Sequence, residues 1–460
     1  MNRKLLIETL SGRDMLTSLS FVERTLPVPA TEEETGLRPV LSSVGDIDGD
    51  GDLDIVGQTS DQTDGTWFLL ENSGGEGERF VRHDLQIPGV RLGRLQLVDI
   101  DGDGDQELVS TTDARIVVLD TNAGLGDFQV VAEMVNEVSS EPDIIPHQSP
   151  VFADLDDDGD LDAVVIGFPK SQTVFSRNIY VGENLGGEFV LAKMAPIGLS
   201  TAYDIEVVDV DGNGTLDIVA ANMGAPLDLD FGGVAWYSSV SIFGTFEDVV
   251  DVFRDDESTF PPFSPIDIAV RDLDGDADVD LLVGGTRGFR VYENQGRGDF
   301  SLRIEQEEEG GVGSYELYDL DLDDDLDIVS PLTNRLNPRS RSPVWFENTD
   351  GLFDPGTRHE LVDGLTALSE LNSRVFADFD GDGDIDIAAA SGHWYESNAT
   401  AVRADVDGDG AVGFKDFLVL ANNFGREDDE VAKADGDVNG DGAVNFLDFL
   451  MFAANFGEDV

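Results

Sequence analysis

The stretch DIDGDGDLDIV, Asp46–Val56, places an aspartate at every second position and then runs into β-branched residues. Two carboxylates about 4 Å apart repel by about 4 kcal/mol at an effective dielectric of about 20, so a loop that gathers several of them is unfavourable without a positive charge among them. A solvated acidic tract has no reason to fix glycines within it or to end in a hydrophobic strand. This stretch does both, and reads as a cation site.

Six further copies follow: DIDGDGDQEL from Asp99, DLDDDGDLDA from Asp154, DVDGNGTLDI from Asp209, DLDGDADVDL from Asp272, DLDLDDDLDI from Asp319 and DFDGDGDIDI from Asp378. Their starts lie 47 to 63 residues apart, which makes an array of repeats. The second unit shows the internal order: RLQLV before the acidic loop, ELVSTT after it, then ARIVVLDTNAG and DFQVVAEM. Short apolar runs separated by Gly, Asn and Asp turns predict an antiparallel four-stranded meander. Seven such units predict a mainly β fold, a seven-bladed β-propeller.

The third strand carries a tag, seen as LLENSGG at Leu69, VGENLGG at Val181, VYENQGRG at Val291, VWFENTDG at Val344 and HWYESN at His393. Trp236, Trp345 and Trp394 share one place in this strand. They read either as sugar-stacking platforms or as blade-to-blade core, and the fixed position favours core. His83 and His359 sit in matching fourth-strand contexts, FVRHDL and TRHEL, which predicts a repeated structural role. The last repeat ends at Asn398 without a fourth strand, whereas FVERTL at Phe21 matches FVRHDL at Phe80. Residues 21–26 are therefore expected to complete the last blade and leave no open edge. The expected division is a targeting-like segment at 1–20, the propeller at 21–398 and a separate module at 399–460.

Of 460 residues, 40% are hydrophobic, and 95 acidic residues against 28 basic ones give a net charge of −67. That balance repels nucleic acid and anionic membrane surfaces. No cysteine is present, so neither disulfides nor thiolate metal sites arise. No apolar run reaches the roughly 18 residues of a transmembrane helix. The opening MNRKLLIETLSGRDML lacks the apolar core of a secretory signal. It resembles the LExLExRxLL motif that precedes many large exported proteins of one bacterial group. The four histidines form no triad or metal constellation, and no nucleophile elbow, phosphate loop or HExxH occurs.

The seven D-x-D-x-D-G-x-x-D loops resemble the FG-GAP or VCBS repeat family, which includes the heads of integrin α chains. In that family the loop joins the first two strands of a blade and holds Ca²⁺ through side chains at positions one, three, five and nine and a backbone carbonyl at position seven. Ca²⁺ takes about six to eight oxygen ligands at about 2.3–2.6 Å, and a tight turn with glycine at position six converges them. The resemblance implies Asp46, Asp48, Asp50 and Asp54 with the carbonyl of Asp52, then Asp99, Asp101, Asp103 and Glu107 with Asp105, and Asp154, Asp156, Asp158 and Asp162 with Asp160. It further implies Asp209, Asp211, Asn213 and Asp217 with Thr215, and Asp272, Asp274, Asp276 and Asp280 with Asp278. The last two sets are Asp319, Asp321, Asp323 and Asp327 with Asp325, and Asp378, Asp380, Asp382 and Asp386 with Asp384. Ala277 and Asp324 stand where the turn wants glycine, so the fifth and sixth sites are expected to be the weaker ones.

From Asp405 the acidic motif leads into helical periodicity instead: DVDGDGAVGFKDFLVLANNFG, and again from Asp437, DVNGDGAVNFLDFLMFAANFG. Leu418, Ala421 and Asn422 follow Phe417 at helix spacing, and Leu450, Ala453 and Ala454 follow Phe449. A twelve-position oxygen loop feeding a helix is EF-hand logic. Two tandem copies ending in Asp resemble a type I dockerin, a small α-helical module. The implied ligands are Asp405, Asp407, Asp409 and Asp416 with the carbonyl of Ala411, then Asp437, Asn439, Asp441, Asn445 and Asp448 with that of Ala443. Gly413 offers no side chain, and water is expected in its place. That family plugs into cohesin domains on a scaffold or cell surface. The partner-setting positions here are Phe414, Lys415, Phe446 and Leu447, and the alternative is that these apolar residues pack on the propeller.

The resemblances imply about nine Ca²⁺ sites. With dissociation constants near 10⁻⁴ M, millimolar calcium adds about 1.4 kcal/mol per site. This places the chain outside the cytoplasm, at a bacterial surface or beyond it. The leading expectation is a noncatalytic adhesion or glycan-binding propeller, displayed through its dockerin-like module on a cohesin-like or surface protein. Lys170, Arg177, Arg335, Arg339 and Arg341 gather base in a chain otherwise starved of it and point to an anionic glycan. A glycoside hydrolase or lyase on the same scaffold is the alternative, and a purely structural surface protein the third reading.

Overall fold

The structure is a computed structural model that describes residues 21–457 except 29–37, 61–65, 75–78, 86–93, 101, 112–115, 121–128, 135–143, 147–148, 170–177, 185–188, 194–201, 226–229, 240–245, 255–262, 308–314, 323–324, 331–343, 349–352, 354–357, 361–373, 409, 427–434 and 439–442. The N-terminal 1–20 segment and Lys170, Arg177, Arg335, Arg339 and Arg341 therefore lie outside the described residues.

Seven antiparallel sheets follow one another along the chain as the blades of a propeller. Blade 1 runs Arg38–Gly45, Asp54–Ser60, Trp67–Asn72 and Phe80–Leu85, and the same order recurs through blade 5, with Pro265–Arg271, Asp280–Gly285, Gly288–Asn294 and Phe300–Glu307. First strands of neighbouring blades approach one another, as Arg38–Gly45 does with Arg94–Val98 and Arg374–Ala377, so they face the axis. Second strands such as Asp280–Gly285 and Asp386–Ala389 are buried at every position. This is why they read as continuous apolar runs after each loop. The outer strand Phe300–Glu307 is largely exposed.

Blade 3 departs from the four-stranded expectation. Its first strand is divided into Ile144–Pro146 and Val151–Ala153, both paired with Asp162–Pro169, which makes a five-stranded sheet. Pro146 and Pro150 bracket the break, and proline cannot donate to a ladder.

The core lies between blades. Trp394 packs with Leu26, Leu41, Ile55, Phe80 and Phe379, which joins blades 7 and 1. Trp236 joins blades 4 and 5 with Phe263, Val270 and Tyr292, and Trp345 joins blades 6 and 7 with Phe376 and Tyr395. All three indoles are at most 4% exposed, so they are core and not sugar platforms. The repeated histidines are structural too. His83 Nε2 lies 2.5 Å from Glu71 and His359 Nε2 lies 3.3 Å from Glu347, in each case the glutamate of the third-strand tag.

Blade 7 contains Arg374–Ala377, Asp386–Ala389 and His393–Ser397, and its fourth strand is Phe21–Thr25, paired in register from Phe21 with Ser397 to Thr25 with His393. Leu26 continues the lock, donating its N–H to Gly392 O at 2.8 Å with its side chain 2% exposed.

After the propeller come helices α1 (Ala399–Ala404), α2 (Phe414–Asn423) and α3 (Phe446–Ala454). Their core is Ala401, Ala404, Val406, Val412, Leu420, Val438, Val444 and Phe452. The helical periods are present: Phe417 and Phe449 pack against this core, Leu420 and Phe452 are buried in it, and Leu418 and Leu450 are exposed. Phe414, Phe446 and Leu447 are exposed as well, which overturns their packing on the propeller. Each helix has apolar residues on two sides, and only one side can meet its partner helix.

Leu26 seals the meeting of the propeller's two ends. Leu26→Ala is expected to cost about 2–5 kcal/mol, read as a lower denaturation midpoint, and deletion of residues 21–26 to cost more.

Candidate metal centres

Six of the seven acidic loops are seen to be wound by their own side chains. Asp46 Oδ1 accepts from the N–H groups of Gly49 at 2.8 Å and Asp50 at 3.1 Å, and its Oδ2 from Gly51 at 3.0 Å. Asp99, Asp154, Asp209, Asp272 and Asp378 accept in the same way from the amides three to five residues on. The fifth position accepts from the seventh, as Asp50 does from Asp52 at 2.9 Å and Asn213 from Thr215 at 2.7 Å. This winding turns carboxylate oxygens inward. Oxygens of Asp46, Asp48 and Asp50 lie within 4.8 Å of one another, as do those of Asp154, Asp156 and Asp162, of Asp209, Asp211 and Asp217, of Asp272, Asp274 and Asp276, and of Asp319, Asp321 and Asp327. These donor sets suit a hard cation.

Two left-handed residues make the turn, at positions four and six. Gly49 and Gly51 have φ of 73° and 97°. Ala277 at position six has φ 73°, and Leu322 at position four has φ 59°. Both strain the backbone where glycine would not.

The ninth position has a second duty. Asp54 is fully buried; its Oδ2 accepts from Ile47 N at 3.0 Å and its Oδ1 from Asn72 N at 2.7 Å. Asp162, Asp280, Asp327 and Asp386 are held alike, from loop position two and from the tag residue of the third strand. Glu107 accepts from Ile100 N at 2.9 Å and Asp217 from Val210 N at 3.0 Å. The tag asparagine then reaches the preceding blade: Asn72 Nδ2 donates to Phe379 O at 2.8 Å, Asn294 to Val210 O at 3.0 Å and Asn348 to Leu273 O at 2.9 Å.

Burial raises these carboxyls. Desolvation lifts Asp54 to about 7, Asp162 and Asp280 to about 6, and Asp386 to about 9, against the lowering effect of the amides they accept from.

In the C-terminal module Asp416 takes N–H bonds from Asp407 at 2.9 Å and Gly413 at 2.7 Å, and Asp448 from Val438 at 2.7 Å and Asn445 at 2.6 Å. Gly410 N donates to Asp405 at 2.9 Å, and Asp437 is buried. Asp101, Asp323, Asp324, Asp409, Asn439 and Asp441 lie outside the described residues.

A second group of acids was not singled out by motif. On the first strands of blades 4 to 6, Asp204 accepts from Ile268 N at 2.9 Å and Asp267 from Tyr315 N at 2.7 Å, both across a blade boundary. Glu206 lies 3.9 Å from Arg271, and Glu316 lies 3.3 Å from the buried Arg374 and accepts from Tyr318 OH at 3.2 Å. Desolvation raises Glu206 to about 7 and Asp267 well above its usual range, with the charges of Asp204, Glu316 and Glu206 adding to the latter. The available signal was an acid three or five residues before the loop, in YDIEVVD, IDIAVRD and YELYD.

Residues 46–110 and 99–165 match the FG-GAP-like repeat family, and residues 403–456 match the Dockerin type I domain. No curated protein matches the chain. Among solved structures, an Agrocybe aegerita lectin that recognises non-reducing terminal N-acetylglucosamine is 20% identical, with 71% of this chain and 81% of the lectin covered and a TM-score of 0.49. The GH93 α-L-arabinofuranosidase of Fusarium graminearum is 12% identical, covering 68% of this chain and 92% of its own, with a TM-score of 0.42. An α-L-arabinanase of Penicillium chrysogenum is 12% identical, covering 68% and 94% with a TM-score of 0.41.

Ala277→Gly is expected to raise stability by about 1–2 kcal/mol, measured by urea unfolding. The raised carboxyls give a pH dependence with a defined sign. Each keeps its proton in the folded chain where the unfolded chain, with pKa 3.8, has lost it. Their contribution is therefore complete below pH 3.8 and is lost as pH rises through about 6 (Asp162, Asp280), 7 (Asp54) and 9 (Asp386). Unfolding midpoints measured in chelator across this range should fall with pH.

Proposed function

From FG-GAP-like repeats closed into a seven-bladed propeller and followed by a Dockerin type I domain, we infer a noncatalytic, calcium-stapled binding protein of the extracellular space or cell surface. Ca²⁺ is held at positions one, three, five and nine of each propeller loop and by the carbonyl at position seven, as at Asp46, Asp48, Asp50, Asp54 and Asp52. The observation that carries this reading is the inward convergence of carboxylate oxygens within 4.8 Å in loop after loop. The divalent ion replaces the protons of the raised carboxyls, so calcium binds more tightly as pH rises.

Dockerin domains bind cohesins. Here the exposed side chains of Phe414, Leu418, Phe446, Leu447 and Leu450 form the apolar part of the surface that meets such a partner. Anionic glycan is the ligand class for the propeller, drawn by Lys170, Arg177, Arg335, Arg339 and Arg341.

The first-strand carboxylates support a second reading, a polysaccharide-acting enzyme. A carboxyl raised to about 7, Glu206, beside Arg271 and the charge of Asp204 is the composition of an acid–base site.

Thermal unfolding in millimolar calcium and in excess chelator, with a count of bound metal, tests the staple. Stability is expected to drop strongly in chelator, and an unchanged melt would overturn it. Incubation with uronate-containing polysaccharides separates the two readings. Binding without cleavage supports the first. Chain cleavage that Glu206→Gln abolishes establishes the second.

A further inference from the structure

Between the seventh acidic loop and the C-terminal module, four oxygen-bearing side chains meet. Thr400 Oγ lies 3.0 Å from Asp382 Oδ2, 3.3 Å from Asp384 Oδ2 and 3.4 Å from Asn455 Oδ1. Asp384 and Thr400 are 0% exposed and Asn455 is 8% exposed. A hydroxyl has one proton for these three acceptors. The amide cannot supply another, because Asn455 Nδ2 donates to Met451 O at 2.9 Å and so turns its oxygen toward Thr400. The backbone N–H of Thr400 serves Asp384 Oδ2 at 3.1 Å, and Asp382 Oδ1 accepts from Asp384 N at 3.1 Å. Asp384 Oδ1 is buried with no hydrogen-bond partner among the described residues.

At the seventh position only Asp384 is buried as a whole residue. Asp52, Asp105, Asp160, Thr215, Asp278 and Asp325 are exposed or half-exposed, whereas Asp384 is fully enclosed. A buried carboxylate oxygen without a partner is costly. So is the convergence of two carboxylates, an amide oxygen and a hydroxyl oxygen. One hard cation among them removes both costs.

We propose that this junction is a further cation site, separate from the seventh loop's own, taking Ca²⁺ or another hard divalent ion between Asp382, Asp384, Thr400 and Asn455. Asp382 and Asp384 belong to blade 7, and Asn455 caps helix α3. The ion therefore ties the propeller to the dockerin domain. Helix α1 is fixed to the same domain by Arg403 Nε, which donates to the buried Val438 O at 2.7 Å. The site rests on the calcium reading of the loops in sharing Asp382, and Asp384, whose carbonyl belongs to the seventh loop's set.

Thr400→Val removes a junction oxygen without touching a loop ligand, and Asn455→Ala does so from the other side. The full-length chain and both variants are compared by metal count at fixed free calcium and by calcium titration. One site is expected to weaken by about tenfold to a hundredfold in each variant that folds, with the remaining sites unchanged. Equal ion numbers and equal affinities in the folded variants overturn the proposal and leave the junction as hydrogen bonds alone. If the wild type bound no ions in its loops, the staple reading would fail. The junction would still be judged by the difference between wild type and variants.

Discussion

A buried carboxylate clasped by backbone amides, two of them in five of the seven blades, is the joint on which the blades depend. Asp54 takes one amide from its own loop and one from the third strand, so it fixes where the loop stands relative to the sheet. Asn72, whose amide it takes, passes the constraint to blade 7 through Phe379. Loop, sheet and ring are thus one hydrogen-bonded network. Because the carboxylate is buried, the network is complete only when something positive neutralises it, and the choice between proton and cation links the fold to its surroundings.

Much of this was legible because the constraint repeats. The acidic loops, their period, the hydrophobic strand after each loop and the match between FVERTL and FVRHDL follow from a pattern that seven blades must satisfy alike. The Glu-Asn tag read as turn chemistry, while its reach into the preceding blade depends on a neighbour some 300 residues away in sequence for Asn72 and Phe379. What did not repeat was harder to see. The divided first strand of blade 3 answers to two prolines, and the inward side of α2 and α3 is chosen by the other helix, since both sides are apolar. The first-strand acids stand outside the loop motif, and only the packing of neighbouring blades brings Asp204, Asp267 and Glu316 toward one another.

Surface character separates the two modules. The propeller carries acidic loops, while α2 and α3 present Phe414, Leu418, Phe446 and Leu447 to solvent. A chain with a net charge of −67 repels its own copies at long range. An apolar surface can therefore be kept open for a partner without inviting self-association, a protection that fades as salt screens the charge.

The closing strand also decides how the protein bears load. A pull on the dockerin domain enters the propeller at Ser397, the last residue of a strand flanked by Asp386–Ala389 on one edge and Phe21–Thr25 on the other. Force along that strand shears both ladders at once, loading their hydrogen bonds in parallel instead of opening them one after another. A tether attached beside the seam of a ring would ordinarily peel it apart. Here the seam strand lies alongside the strand that is pulled, and the attachment point is among the better-braced places in the ring.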